Sequence, residues 1–186
     1  TRSYMMGNKF ILAGAVALTL AAGGIAQASD IAEVQDIVPA ANDELVTYKQ
    51  VGDWTVIRNK TRGDCLTERT FPDGFAMQLG LTKGGEYAYV GIFTKRPIEV
   101  AEGDNHIDIA IDGKRFGGKS FGVQGGSLKG GWHGGYVVSS DPKFVYWVIN
   151  GWELVAFPSQ TNNLFKMDLT GTKRAIQTAR ECLKTS

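Results

Sequence analysis

The chain has 186 residues, with 20 lysines and arginines against 19 aspartates and glutamates, two histidines and two cysteines. That length suits one domain with an ample core. The near-neutral balance excludes the electrostatic footprint of a nucleic-acid or anionic-membrane partner.

In chain order, residues 1–4 precede two candidate start residues, Met5 and Met6, and are taken as an upstream extension. Lys9 then supplies a positive n-region, Phe10 to Ile25 carry no charge, and Ala26-Gln27-Ala28 is a small-x-small cleavage site. The uncharged run is 16 residues long, short of the roughly 20 that a helix needs to cross a bilayer, and its glycines weaken it further as an anchor. Residues 5–28 are therefore expected to be a cleavable signal peptide. A short signal with one lysine is of bacterial type, so the expected address is periplasmic, with secretion as the alternative. Cleavage would remove Arg2 and Lys9, leaving 18 basic residues against 19 acidic ones.

Residues 29–50 form an acidic leader arm. Asp30, Glu33, Asp36, Asp43 and Glu44 occur there before any base, and Pro39 interrupts the run; one helical turn is expected around Ile31–Ile37. A single β-rich domain is predicted over residues 51–186. Its first strands are the alternating run Trp54–Arg58, then Cys65–Thr70, then Phe75–Leu81 after Pro72-Asp73-Gly74, then Tyr87–Phe93 after Gly84-Gly85. The clearest hairpin joins His106–Ile111 to Lys114–Phe116 through Asp112-Gly113, a type I′ signal. Ile107, Ile109 and Ile111 share one face there, and the other face is expected to be wet. Gly113 to Gly135 holds ten glycines in 23 residues, consistent with short twisted strands and bulges or with a loop over a binding surface.

Asp141 to Phe157 has two readings. Asn150-Gly151 suits a hairpin, whereas Pro142 as a helix start and the spacing of Phe144, Trp147 and Val148 suit a short helix. The helix, residues 142–150, is favoured, with a strand at Trp152–Phe157. Leu164–Leu169 reads as a strand, and Thr170-Gly171-Thr172 leads into a helix ending near Leu183, with Ala175, Ile176, Ala179 and Leu183 on one face. In an oxidising compartment, the even pair Cys65 and Cys182 is expected to form a disulfide. Closing so long a loop stabilises by about 4–5 kcal/mol in the chain-entropy account. The fold class is thus α+β: a twisted, mainly antiparallel sheet with a short helix near 142–150 and a C-terminal helix near 172–183, closed by one disulfide.

Catalytic signals are sparse. His106 and His133 stand apart and form no metal-ligand pattern, so no metal or cofactor is expected. Gly125-Gly126-Ser127-Leu128-Lys129 lacks the last glycine of a nucleophile elbow, and Ser139-Ser140-Asp141 reads as a helix cap. Asp104, Asp108 and Asp112 do not match a calcium loop. What remains is aromatic: Trp132, His133 and Tyr136, among small neighbours, are the candidate ligand-binding residues, by stacking and burial. The competing role of Trp132 and Tyr136 is as core residues on alternate strand positions, and that of His133 is as a surface or turn histidine.

Gly52-Asp53-Trp54-Thr55-Val56, Cys65 and the ending Phe165-Lys166-Met167-Asp168-Leu169-Thr170-Gly171-Thr172 with Ala175, Ile176 and Cys182 resemble a small exported domain of unassigned function common in alphaproteobacteria. Over about the last thirty residues, the ending is also similar to the Leu-x-Gly-x-x-x-Ala pattern of invasion-associated locus B-like proteins. The resemblance implies bacterial export and a strand passing into a helix, and it supplies no catalytic residues. Three functions follow as expectations. The first is a non-enzymatic periplasmic protein that binds an envelope protein or glycan. The others are a secreted host-facing or inhibitor protein and an envelope hydrolase with a carboxylate site.

Overall fold

The structure is a computed structural model that describes residues 36–82, 84–95, 103–124, 130–156 and 165–185; over 103–108 and 117–124 it describes the backbone. The expected signal peptide, most of the Ile31–Ile37 turn and the Gly125–Lys129 segment lie outside the described residues.

Ten strands form one antiparallel sheet: β1 (Leu45–Val51), β2 (Trp54–Asn59), β3 (Asp64–Phe71), β4 (Phe75–Leu81), β5 (Ala88–Thr94), β6 (Gly103–Ile111), β7 (Lys114–Gln124), β8 (His133–Ser139), β9 (Glu153–Ala156) and β10 (Phe165–Asp168). Their spatial order is β1-β2-β3-β4-β5-β8-β7-β6-β9-β10. Among the described residues, the helices α1 (Pro142–Asn150) and α2 (Thr172–Leu183) pack on the sheet. The α+β class holds, as do both helices.

Local chemistry accounts for most of these elements. In the β6–β7 hairpin, Asp112 and Gly113 both have positive φ, 48° and 77°, as a type I′ turn requires. The pairing then runs without a shift from Ile111↔Lys114 to Gly103↔Gly122. The glycine-rich segment therefore begins as one long strand rather than several short bulged ones. The helix reading of 142–150 is correct because Asp141 caps it, its side chain accepting from Lys143 N at 2.8 Å, with Pro142 opening the first turn. Gly151 follows outside the helix in an extended conformation.

The sheet is curled. In a flat sheet, β4 and β10 would lie about 29 Å apart at ordinary strand spacing, yet the rings of Phe75 and Phe165 stand 4.7 Å apart. The concave inner face buries Trp54, Met77, Val90, Ile109, Ile111, Val137, Leu154 and Met167 against Phe144 and Val148 of α1 and Ala175 and Ile176 of α2. Arg69 fastens the curl. From β3 it donates to the Asp168 carbonyl of β10 at 3.0 Å and pairs with Asp53 at 3.1 Å. Trp54 Nε1 donates to the Thr170 carbonyl at 3.0 Å across the same seam. The Cys65–Cys182 disulfide joins β3 to α2 within a small cluster containing Val51, Val56 and Ala179.

The convex outer face is buried too, by Ile57, Leu66, Tyr89, Phe93, Trp132, Tyr136 and Val138. Here glycine makes room. A Cβ on Gly80 would lie 2.1 Å from Tyr89 Cζ, and one on Gly91 would lie 2.5 Å from Tyr136 Cε1. Each ring lies across a glycine paired with it on the neighbouring strand.

Two expectations need correction. The domain starts before Val51, because Leu45–Val51 pairs along β2 and Val38 is buried in the outer cluster. Acidic composition marked 29–50 as a spacer, but the apolar residues between the acids dock part of it on the sheet. The second face of β6 is also not wet throughout, since Ala110 is buried.

Candidate functional site

The structure places the predicted aromatic trio in the packed sheet. Tyr136 lies at the centre of β8, fully buried, and its hydroxyl donates to Gln78 Oε1 at 2.6 Å. Gln78 Nε2 in turn donates to Glu68 Oε2 at 2.7 Å. Its ring meets those of Tyr89 and Phe93 edge-on at 5.6 and 5.2 Å. Trp132 is buried as well, with Lys95 Nζ 5.0 Å from its ring centroid. Half-buried His133 is paired with Thr94 and Gln124 in the sheet. Small neighbours do not leave these rings accessible. Gly91 lets the Tyr136 ring lie down on the sheet, so Tyr136 and Trp132 are core, and His133 is half-buried beside them in β8.

The exposed aromatics are elsewhere. Trp152 is 73% exposed and Tyr146 is 59% exposed. Both belong to a corner where α1 ends beside the tip of the β6–β7 hairpin. Gly151 N donates to the Trp147 carbonyl as the helix stops, and Asn150 Nδ2 donates to the Tyr146 carbonyl. The carboxylate of Asp112, at the hairpin turn, accepts from Trp152 N at 3.1 Å and Glu153 N at 3.0 Å. Lys114 Nζ sits 5.2 Å from the half-buried Trp147 ring, which meets Tyr146 edge-on at 5.8 Å. The indole of Trp152 is thus displayed from a backbone fixed on both sides. Alternation along a strand would have turned Trp152 inward with Leu154 and Ala156, and the bend after α1 breaks that alternation. Tyr146 was findable from sequence: it falls opposite the Phe144–Val148 stripe of the helix.

Ionisable groups gather at a second place. At the strap formed by residues 36–44, Asp43 Oδ2 accepts from Ala40 N at 2.9 Å, Asn59 Nδ2 at 2.7 Å and Arg62 Nε at 2.7 Å. Burial works against ionisation of Asp43, but these hydrogen bonds together hold its carboxyl below the ordinary value. Nearby Asp64 is only 7% exposed, and its Oδ1 has no hydrogen-bond partner among the described residues. Burial pushes its carboxyl up to about 6, with Arg62 acting against the shift and Asp43 adding to it. The phenol of Tyr89, likewise buried and unpartnered among the described residues, is raised first by burial and then by the charge of Asp64. Glu68 is raised by burial too, partly offset by Gln78. Asp64 and Glu68 are four residues apart on β3, about 13 Å along the strand, with Leu66 between them, and so do not form a carboxylate pair. Asp43 and Asp64 do have values driven apart, as in an acid–base pair, but both side chains are sealed from solvent.

Among the described residues, no group of three or more histidine, cysteine, aspartate or glutamate side chains could hold a metal ion. An apolar void of about 10 Å³ between α1, α2 and β4–β5, lined by Leu79, Ala88, Val148 and Ile176, is too small for a ligand. No helix among the described residues is long and apolar enough to cross a membrane. No family model, no curated protein and no solved structure matches the chain.

Proposed function

We propose that this is an exported, non-enzymatic binding protein of the bacterial envelope that engages a glycan through the corner formed by Tyr146, Trp147 and Trp152. The observation that carries the reading is the exposure of Trp152 on a backbone held by Asp112. A large ring displayed to water from a rigid corner is a recognition feature, because folding gains nothing from leaving it exposed. The surrounding groups favour a sugar over an apolar protein surface. Asp112, Lys114, Asn150 and Glu153 supply donors and acceptors beside a flat ring, which suits the C–H face and hydroxyls of a pyranose. Export is supported by the leader pattern of residues 5–28, and the disulfide is compatible with it.

The test is a titration of the protein, purified from the periplasmic fraction, with soluble glycan fragments of its own envelope, followed by tryptophan fluorescence. Binding should quench or shift the emission in the wild type and be lost in Trp152→Ala, with the unfolding midpoint of the variant unchanged. Equal binding by the variant would remove this corner from the function. The split between Asp43 and Asp64 gives the hydrolase reading one foothold. Metal-independent hydrolysis abolished by Asp64→Asn would favour it over the binding reading.

A further inference from the structure

We propose that residues 36–44 form a pH-gated strap on the outer face of the sheet, closed while the Asp64 carboxyl is protonated and released when it ionises. The strap has few fastenings. Val38 buries in the outer cluster with Leu66 and Tyr89, Arg62 Nη1 donates to the Asp36 carbonyl, and Asp43 is held by Asn59 and Arg62. At its far end, Glu44 N donates to Thr61 Oγ1 at 2.8 Å and its carbonyl accepts from Lys60 N at 2.9 Å, which ties that end to the β2–β3 turn; the exposed Glu44–Lys60 ion pair at 2.6 Å adds little. The remainder of the strap depends on the cluster around Asp64.

That cluster tolerates only one ionised carboxyl well. The charged or titratable groups facing Asp64 are Arg62 from the β2–β3 turn, Asp43 from the strap and Tyr89 from β5; Asn59 of β2 completes the cluster by binding Asp43. Among the described residues the cation that faces Asp64 is Arg62, and Asp43 already holds its Nε. An ionised Asp64 therefore places a second carboxylate beside one shared guanidinium, in a site that gives its Oδ1 no hydrogen bond among the described residues. A buried charge without partners is unfavourable, and the available relief is to admit water. Releasing the strap admits it, because the strap supplies Asp43 and the Val38 cover.

The sign follows from proton binding. Closed, Asp64 titrates near 6; solvated, it returns towards 3.8. Between those values the closed state binds a proton that the open state lacks, so closing is favoured at mildly acid pH and weakens as pH rises through about 6. The full difference of about two pH units corresponds to roughly a hundredfold change in the opening equilibrium.

Hydrogen exchange read by mass spectrometry on the full protein, with rates normalised to the intrinsic chemistry at each pH, tests this. Between about pH 5 and about pH 8, opening of residues 36–44 should rise by roughly tenfold while β4 and β5 keep their protection. In Asp64→Asn the rise should vanish. Equal opening at both pH values, a rise shared by β4 and β5, or a rise that survives in Asp64→Asn overturns the proposal. The wild type alone gives a second check: the NMR titration of the Asp64 carboxyl and the exchange of the strap must share one midpoint, and separate midpoints overturn the proposal too.

Discussion

Side chains of one kind have opposite fates in this molecule, and tyrosine shows it most clearly. Tyr136 is fully buried with its hydroxyl bonded to Gln78, whereas Tyr146 stands in solvent on α1. Removing the Tyr136 hydroxyl leaves the Gln78 carbonyl without its donor. Tyr136→Phe should therefore lower stability by about 1–2 kcal/mol, read as a shift in the urea midpoint at constant slope. The glycines beneath the rings are as demanding. Gly80→Ala would set a methyl 2.1 Å from Tyr89 Cζ, and overpacking of that kind costs about 1–3 kcal/mol. The same denaturation experiment checks it, and a neutral result would mean that the Tyr89 ring moves freely off the sheet. None of this is visible in the sequence, where Gly80 and Gly91 look like weak points in strands rather than sockets for rings on the next strand.

Elements were far more legible. β2, β3, β4 and β5 follow the alternating runs bounded by turn residues, and Asp112-Gly113 gives the turn its chemistry demands. α2 buries Ala175, Ile176 and Ala179 of the face its periodicity predicts, with Leu183 partly buried and Cys182 buried beside them. The sequence also supplied the fastening of that helix, because its two cysteines pair with each other. Cys65 and Cys182 are 117 residues apart, and in the chain-entropy account such a closure stabilises by about 4–5 kcal/mol. Replacing both cysteines by serine should lower unfolding free energy by about that amount at most. Protection should be lost first in α2, as measured by hydrogen exchange. Uniform destabilisation with α2 still protected would show that its apolar face alone anchors it. Arg69 has the complementary role at the seam, tying β3 to β10 and to Asp53.

For the whole molecule, the two directions of carboxyl perturbation set a stability window. Asp64 and Glu68 have raised values in the folded state. The native protein therefore holds protons that the unfolded chain releases, and stability falls as pH rises through about 6. Asp43 and Asp168 are perturbed downward, Asp43 by its hydrogen bonds against burial and Asp168 chiefly by the hydroxyl of Thr170. Their contribution is present above the unfolded value of 3.8 and is lost as pH falls below it. Stability should accordingly peak near pH 4, fall towards about pH 6 and level off above it. Thermal melts across pH should show this maximum, with the decline on its alkaline side at most about 3 kcal/mol from Asp64 and reduced in Asp64→Asn. A plateau from about pH 4 to about pH 6, where the folded carboxyl keeps a proton that the unfolded one has lost, would contradict the assignment to Asp64.

By itself, the sequence determined the class of fold, the strands β2 to β5 and the hairpin turn at Asp112-Gly113, the capped helix at Pro142 and the pairing of its two cysteines. These rest on side-chain period, turn chemistry and parity, which act within a few residues or need no geometry. The tertiary structure alone decided which aromatics meet water, that residues 36–51 join the domain, and that Asp64 is buried beside an arginine already bound by Asp43. Those properties depend on what distant segments lay over a given surface. The curl that brings Phe165 onto Phe75, and the bend that turns Trp152 outward, are not written in the local run of either residue.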